Sequence, residues 1–193
     1  MNDTELETFC PSNRTEWREW LKENHQTHKS IWVIFYKKST QIPTVSWPEA
    51  VEEALCFGWI DSTKKTIDDQ KFRQFFSPRK AKSNWSKINK AKVQQLIENS
   101  LMTEAGQRSI DVAKENGSWT ILDAVEDLIV PDDLTEALSV ETKAKEYFSS
   151  LSNSKTKQLL YWIMSAKRAE TRTKRIAEIV EAASEGLLPK PIR

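Results

Sequence analysis

The run Ile31-Trp32-Val33-Ile34-Phe35-Tyr36 constrains this chain more than any other segment. Its residues are β-branched or aromatic, and Lys37-Lys38 close it after six positions. That is too short for a membrane span, and the residue types favour a buried strand over a helix. A buried strand needs partners, because its backbone N–H and C=O groups must be paired away from water. Residues 59–66 and 71–76 supply them as two further strands joined across Asp68-Asp69-Gln70, with Pro78 stopping the second.

Helical signals flank these strands. After the polar start Ser12-Asn13-Arg14-Thr15, Trp17, Trp20, Leu21 and Asn24 recur at helical spacing. Ser46-Trp47-Pro48-Glu49 has the capping-box form with proline in the first turn, ahead of Ala50, Val51, Ala54 and Leu55, and Gly58 ends that helix. The fold class is therefore α+β, with a small, mostly antiparallel sheet flanked by helices in the N-terminal half. Everything beyond Ser83 reads as helix, broken at residues 100–103, at Gly117-Ser118, near Pro131 and at residues 149–154, where small polar residues cluster. The C-terminal half is all-helical, and the expected domains are 1–118 and 119–193.

Composition excludes several classes. A chain of 193 residues can bury a core as one domain or two small ones, and 38% apolar residues, 30% charged residues and only four glycines fit neither disorder nor a disulfide scaffold. Cys10 and Cys56 are the only thiols, which argues against a disulfide framework or a Cys-based metal site and suits a reducing compartment. The first ten residues carry Asp3, Glu5 and Glu7 and no apolar stretch, so the reading is a cytoplasmic protein without direct membrane insertion. With no heptad run, it is expected to be a monomer or weak homodimer.

Charge is segregated although the formal net charge is only +1. Residues 71–97 hold eight lysines and arginines and no acid, whereas 98–141 hold eleven acids against only Arg108 and Lys114. On a helix beginning after Ser83, Trp85, Ile88, Val93 and Leu96 form an apolar arc, and Asn89 and Lys92 fall inside it. Either these two satisfy local partners, with Lys92 laying its stem along apolar surface, or they line a pocket. Downstream, Leu159, Trp162, Ile163 and Ala166 form one stripe and Ile176, Ile179, Val180 and Ala183 the next, with Gly186 as the stop. Arg172 lies one turn before Ile176 on that second stripe. Its guanidinium is expected to face the interface between the two helices and to need an anion there, whether a carboxylate of its own chain or a ligand.

These misfit positions sit in segments that resemble the YdeI/OmpD-associated family, which includes bacteriocin-protection proteins. The segments are Phe57-Gly58-Trp59-Ile60-Asp61, Phe76-Ser77-Pro78-Arg79, Ser83-Asn84-Trp85-Ser86 with Asn89, and Trp162-Ile163 followed by residues 166–172 and Arg175-Ile176. Their co-occurrence in the family's order carries the resemblance more than any one of them. It implies a helical C-terminal domain of the OmpD-associated type and a bacterial cytoplasmic protein connected with envelope stress and peptide resistance. It implies no reaction.

Chemistry motifs are sparse. His25 and His28 sit near a helix end without further ligands, Cys56 lies between Leu55 and Phe57 as a small buried hydrophobe, and neither a Walker loop nor a Gly-x-Gly-x-x-Gly occurs, so no cofactor or catalytic residue is assigned. The preferred reading is a binding protein for a small anionic or carboxylate-bearing ligand, or for a protein partner, using Asp61, Arg79, Trp85, Asn89 and Arg172. Two alternatives stand beside it. One is nucleic-acid binding by the basic segment 71–92, where Phe72, Phe75, Phe76 and Trp85 could stack bases, and the other is an enzyme of unrecognised type.

Overall fold

Ile31–Tyr36 forms strand β2 in a computed structural model that describes residues 7–192. Ile31, Val33 and Phe35 point to one face and are essentially inaccessible. Across the antiparallel partner β4 (Lys71–Pro78) they meet Phe76, Gln74 and Phe72. Trp32 and Tyr36 point the other way, where the Arg73 guanidinium lies 4.3 Å from the Trp32 ring centroid and Phe75 packs edge-on. This explains why the strand is apolar at every position: both of its faces are covered. β3 (Trp59–Thr66) pairs antiparallel with β4, with a register shift between Asp61 and Lys64, and β1 (Thr8–Phe9) adds in parallel to β2, giving the order β1-β2-β4-β3.

Two sheet features depart from expectation. β1 is not anticipated, since two residues carry no alternation to read. β4 runs past Phe76 to Pro78, which pairs with Trp59 at the strand's last position, where a missing N–H breaks nothing inside the ladder.

Helices α1 (Arg14–Asn24), α2 (Trp47–Cys56), α3 (Lys87–Glu98) and α4 (Glu104–Glu115) pack on the core face of the sheet. Asn13 caps α1, accepting from the Glu16 N–H, and Ser46 with Glu49 forms the full capping box of α2. Trp17, Leu21, Ala54, Leu55, Phe76 and Trp85 are central to the core they bury. Gly58 turns the chain after α2 with φ +73°, and a Cβ there would also stand 3.0 Å from the Ala105 carbonyl oxygen. Gly106 lets α4 rest on the end of α2, where a Cβ would fall 2.3 Å from the Cys56 carbonyl oxygen.

The start of α3 is corrected by the structure. The helix begins at Lys87 with Ser86 as its cap, not after Ser83, so Trp85 precedes it and is buried from the loop, while Ile88 is 70% exposed. Ser86 accepts from the Asn89 N–H and thereby sets the first turn. Without Trp85 the buried arc is defined by Val93 and Leu96, and Lys92 reaches Glu52 of α2 at 2.8 Å.

The chain divides into two compact units, Met1–Thr120 and Ile121–Arg193. The second holds α5 (Asp123–Glu126), α6 (Asp132–Ser139), α7 (Thr142–Ser150), α8 (Asn153–Met164) and α9 (Ala169–Ser184). Its core includes Leu134, Leu138 and Phe148 of α6 and α7 together with Leu159, Ile163 and Ile179, which the stripes of α8 and α9 predict, whereas Ala166 lies beyond the end of α8. α9 closes in a left-handed Gly186 (φ +70°), with the Leu187 N–H on the Ala182 carbonyl and the Gly186 N–H on the Ala183 carbonyl. Among the described residues no helix is long and apolar enough to cross a membrane. Asp3 and Glu5 lie outside the described residues.

Candidate functional site

Arg79 follows directly on β4, and its N–H donates to the Gly58 carbonyl at 2.8 Å, which fixes the residue as it leaves the sheet. Its side chain lies flat on Trp85, with Cζ 3.8 Å from the ring centroid, and Nη1 donates to the Asn84 carbonyl at 2.8 Å. Nε is buried without a partner. Burial brings the pKa down to about 10, while the Asp61 carboxylate pulls it the other way. At neutral pH the group is still a cation, desolvated on one side and supported by a carbonyl and an indole face.

The loop after Arg79 is pinned in place. The Ala81 carbonyl accepts from Asn116 Nδ2 at 2.7 Å and from Ser118 Oγ at 3.2 Å, both at the C-terminal end of α4. Trp85 is 1% exposed and packs on Trp119 with ring centroids 5.0 Å apart. The result is a cavity of about 210 Å³ lined by Arg79, Lys80, Ala81, Arg108, Ser109 and Val112. Three cations and no carboxylate line it. Arg108 and Ser109 were not among the residues singled out from sequence. Arg108 sits in the acidic segment, and only the packing of α4 brings it to the basic loop.

Asp61 occupies a different corner. Its Oδ2 accepts from Trp47 Nε1 at 3.0 Å and from Gln74 Nε2 at 2.9 Å, so it holds the first residue of α2 against the sheet. Its link to Arg79 is electrostatic. Asn89 contributes through its backbone, donating to Ser86 Oγ at 3.3 Å. The structure therefore brings Arg79 and Trp85 into contact, with Asp61 acting on them through its charge and Asn89 in the first turn of the helix that follows Trp85.

Arg172 belongs to the second unit and departs from the expected placement between α8 and α9. Its Nε and Nη2 form a two-pronged pair with Asp133 of α6, at 2.6 and 2.8 Å, with about a third of the side chain exposed. The carboxylate it needs comes from its own chain. Arg175, one turn on, reaches Ser165 Oγ at 2.9 Å and caps the end of α8 through the Trp162 carbonyl.

The other titratable candidates are accounted for by packing. His25 Nδ1 bonds the Leu21 carbonyl at 2.9 Å, and His28 pairs with Glu7 at 3.2 Å and lies edge-on to Trp20. Cys56 is buried, and desolvation with Glu53 nearby pushes its thiol up to about 11. Among the described residues no group of three or more His, Cys, Asp or Glu is placed to hold a metal ion.

Residues 9–109, just over half of the chain, match a family described as Domain of unknown function (DUF8412). The chain belongs to this family. Residues 127–186 match a second family, described as Bacteriocin-protection, YdeI or OmpD-Associated. That segment covers α6 to α9 and includes Trp162, Arg172 and Ile176, so the resemblance read from these residues holds for the second unit. The motifs around Asp61, Arg79 and Trp85 fall in the span of the DUF8412 match. No curated protein and no solved structure matches the chain.

Proposed function

We propose that this chain is a non-enzymatic, cytoplasmic accessory protein of bacteriocin or envelope-stress protection, which binds an anionic, carboxylate-bearing ligand at Arg79. One observation carries the reading: the Arg79 guanidinium, buried at Nε without a partner, opens on a cavity whose other polar side chains are Lys80, Arg108 and Ser109. A carboxylate placed there would meet the positive charge of Arg79, Lys80 and Arg108. Trp85 gives the guanidinium a rigid floor, and the Asp61 carboxylate favours its charged form. The role in protection comes from the match of the second unit alone. A binding role fits better than catalysis, because His25, His28 and Cys56 are each committed to packing or to backbone partners.

The basic segment 71–92 supports nucleic-acid binding less well. Lys92 is paired with Glu52 and Lys71 with Asp68, and Arg79 is held on Trp85, so these charges do not lie free along one phosphate track.

Titration calorimetry with succinate and with inorganic phosphate tests the site. Saturable binding is expected, weakened about tenfold or more in Arg79→Gln, a loss of about 1.4 kcal/mol or more. Bacteria producing Arg79→Gln should lose protection against a bacteriocin that the wild-type protein confers. Equal binding and equal survival in wild type and variant would overturn the reading. An oligonucleotide bound with affinity falling at about 0.7 per contacted phosphate on a log salt plot would favour the nucleic-acid alternative instead.

A further inference from the structure

The largest cavity of the first unit among those described is not the one at Arg79. It encloses about 580 Å³ between the end of β2, the segment joining β2 to α2, and β4. Its walls are flat and apolar. Phe35 and Phe72 stack with centroids 5.1 Å apart and planes 11° from parallel, the Lys64 ammonium lies 4.1 Å from the Phe72 centroid, and Trp47 and Ile42 also line the cavity. Trp47 is 48% and Ile42 42% exposed, so both present apolar surface to solvent. Yet the Trp47 ring is not loose, because Asp61 holds its Nε1.

The frame around the cavity is preformed. A 3-10 turn at Lys38–Thr40 is closed by Thr40 Oγ1 on the Lys37 carbonyl at 2.9 Å, Gln41 takes a left-handed conformation (φ 56°), and the Ile42 N–H returns to Thr40 Oγ1 at 3.3 Å. Charge at the mouth has one sign: Lys37 and Lys38 line it and no acid does, although Asp68 lies within electrostatic reach of Lys37. The N-terminus of α2 also faces this region, but Ser46 and Glu49 already cap it, which leaves the two ammonium groups as the anchors for an anion.

We infer that this cavity binds a small aromatic carboxylate, its ring among the aromatic lining of Trp47, Phe35 and Phe72 and its carboxylate at Lys37 and Lys38. The volume lies within the usual span of small-ligand sites, roughly 300–1,000 Å³, and the mix of apolar wall with a few convergent charges is typical of them. An aromatic lining of Phe35, Tyr36, Trp47 and Phe72 favours a ring over an alkyl chain. Asp61 acts here as a positioning residue, setting the angle of the Trp47 indole.

Naphthalene-2-carboxylate is the probe, titrated into the full chain by calorimetry and by following the indole N–H resonances. Saturable binding with a shift confined chiefly to the Trp47 resonance is expected. The uncharged 2-naphthylmethanol should bind about tenfold more weakly, and Lys37→Gln/Lys38→Gln should remove that difference, whereas Lys29→Gln, at an exposed lysine outside the lining, should not. Ile42→Glu, at an exposed lining position, should reverse the preference, and Trp47→Ala should weaken both probes about tenfold or more. Asp61→Ala should move the Trp47 resonance and weaken both probes while leaving the carboxylate preference intact. No saturable binding up to about 1 mM, a Kd unchanged in Trp47→Ala, or octanoate binding as tightly as the naphthoate would overturn the inference.

Discussion

Glu53 and Asp133 each hold arginine, with very different energetic weight. Glu53 is 1% exposed and accepts from both Arg14 and Arg18, tying α1 to α2, while Arg18 also donates to the Leu101 carbonyl at 2.8 Å. Removing one partner of a buried pair typically costs ~3–5 kcal/mol, and the lower end applies here because both arginines are about a third exposed and can recover water. Glu53→Gln should therefore lose about 3 kcal/mol in urea unfolding at pH 7. The Arg172–Asp133 pair is exposed on both sides, so Arg172→Met should cost only about 0–1 kcal/mol. Hydrogen bonds from Arg172 hold the Asp133 carboxyl below its usual range. A depressed carboxyl adds stability above its unfolded pKa, about 3.9, and loses it as pH falls through the lower folded value. The difference between wild type and Arg172→Met should accordingly shrink below about pH 4, and a constant difference down to pH 2 would contradict the pairing. Arg172 was legible as a misfit because its spacing puts it on an apolar stripe. Asp133, 39 residues away, carried no such signal.

At the scale of elements, helix ends were read well where a local residue sets them and badly where two signals compete. Ser46 with Glu49, Gly58 and Gly186 act within a few residues of their own position, so their roles survive any tertiary arrangement. At α3 both Ser83 and Ser86 could cap, and the burial of Trp85 beneath Arg79 accompanies the later choice. The far end of α3 shows the reverse economy. Ser100 takes the left-handed position (φ 56°), with the Leu101 N–H on the Leu96 carbonyl and the Ser100 N–H on the Ile97 carbonyl, where glycine would be strain-free. Ser100→Gly should stabilise by about 0.5 kcal/mol, after the entropy that glycine adds to the unfolded chain is set against the relieved strain. Gly106→Ala should do the opposite, by about 1–3 kcal/mol, since the Cys56 carbonyl that its Cβ would meet is backbone and cannot step aside cheaply. Thermal melts of the two variants should move in opposite directions.

At the scale of the whole chain, each unit closes an apolar core from its own residues, around Trp17, Phe76 and Trp85 in the first and around Leu134, Leu159 and Ile179 in the second. Residues 121–193 expressed alone are therefore expected to give a helical circular-dichroism spectrum and a cooperative melt, and a broad, featureless melt would show that this core is insufficient by itself. The α+β class follows from short β-branched and aromatic runs and the helical second half from a period of 3.6, signals that any residue shares with neighbours a few positions away. Those runs, the helical period, the caps and the glycine stops are properties of local chain, and the amino-acid order determined them. The cluster at Arg79, the clamp on Glu53 and the hold of Asp61 on Trp47 are of another kind. Arg108 reaches the Arg79 loop only because α4 packs there, and Glu53 meets arginines 35 and 39 positions away only because α1 lies against α2. No spacing rule links such residues: the energy that selects them comes from burying one face of an element against another, and that choice is made only when the chain closes on itself.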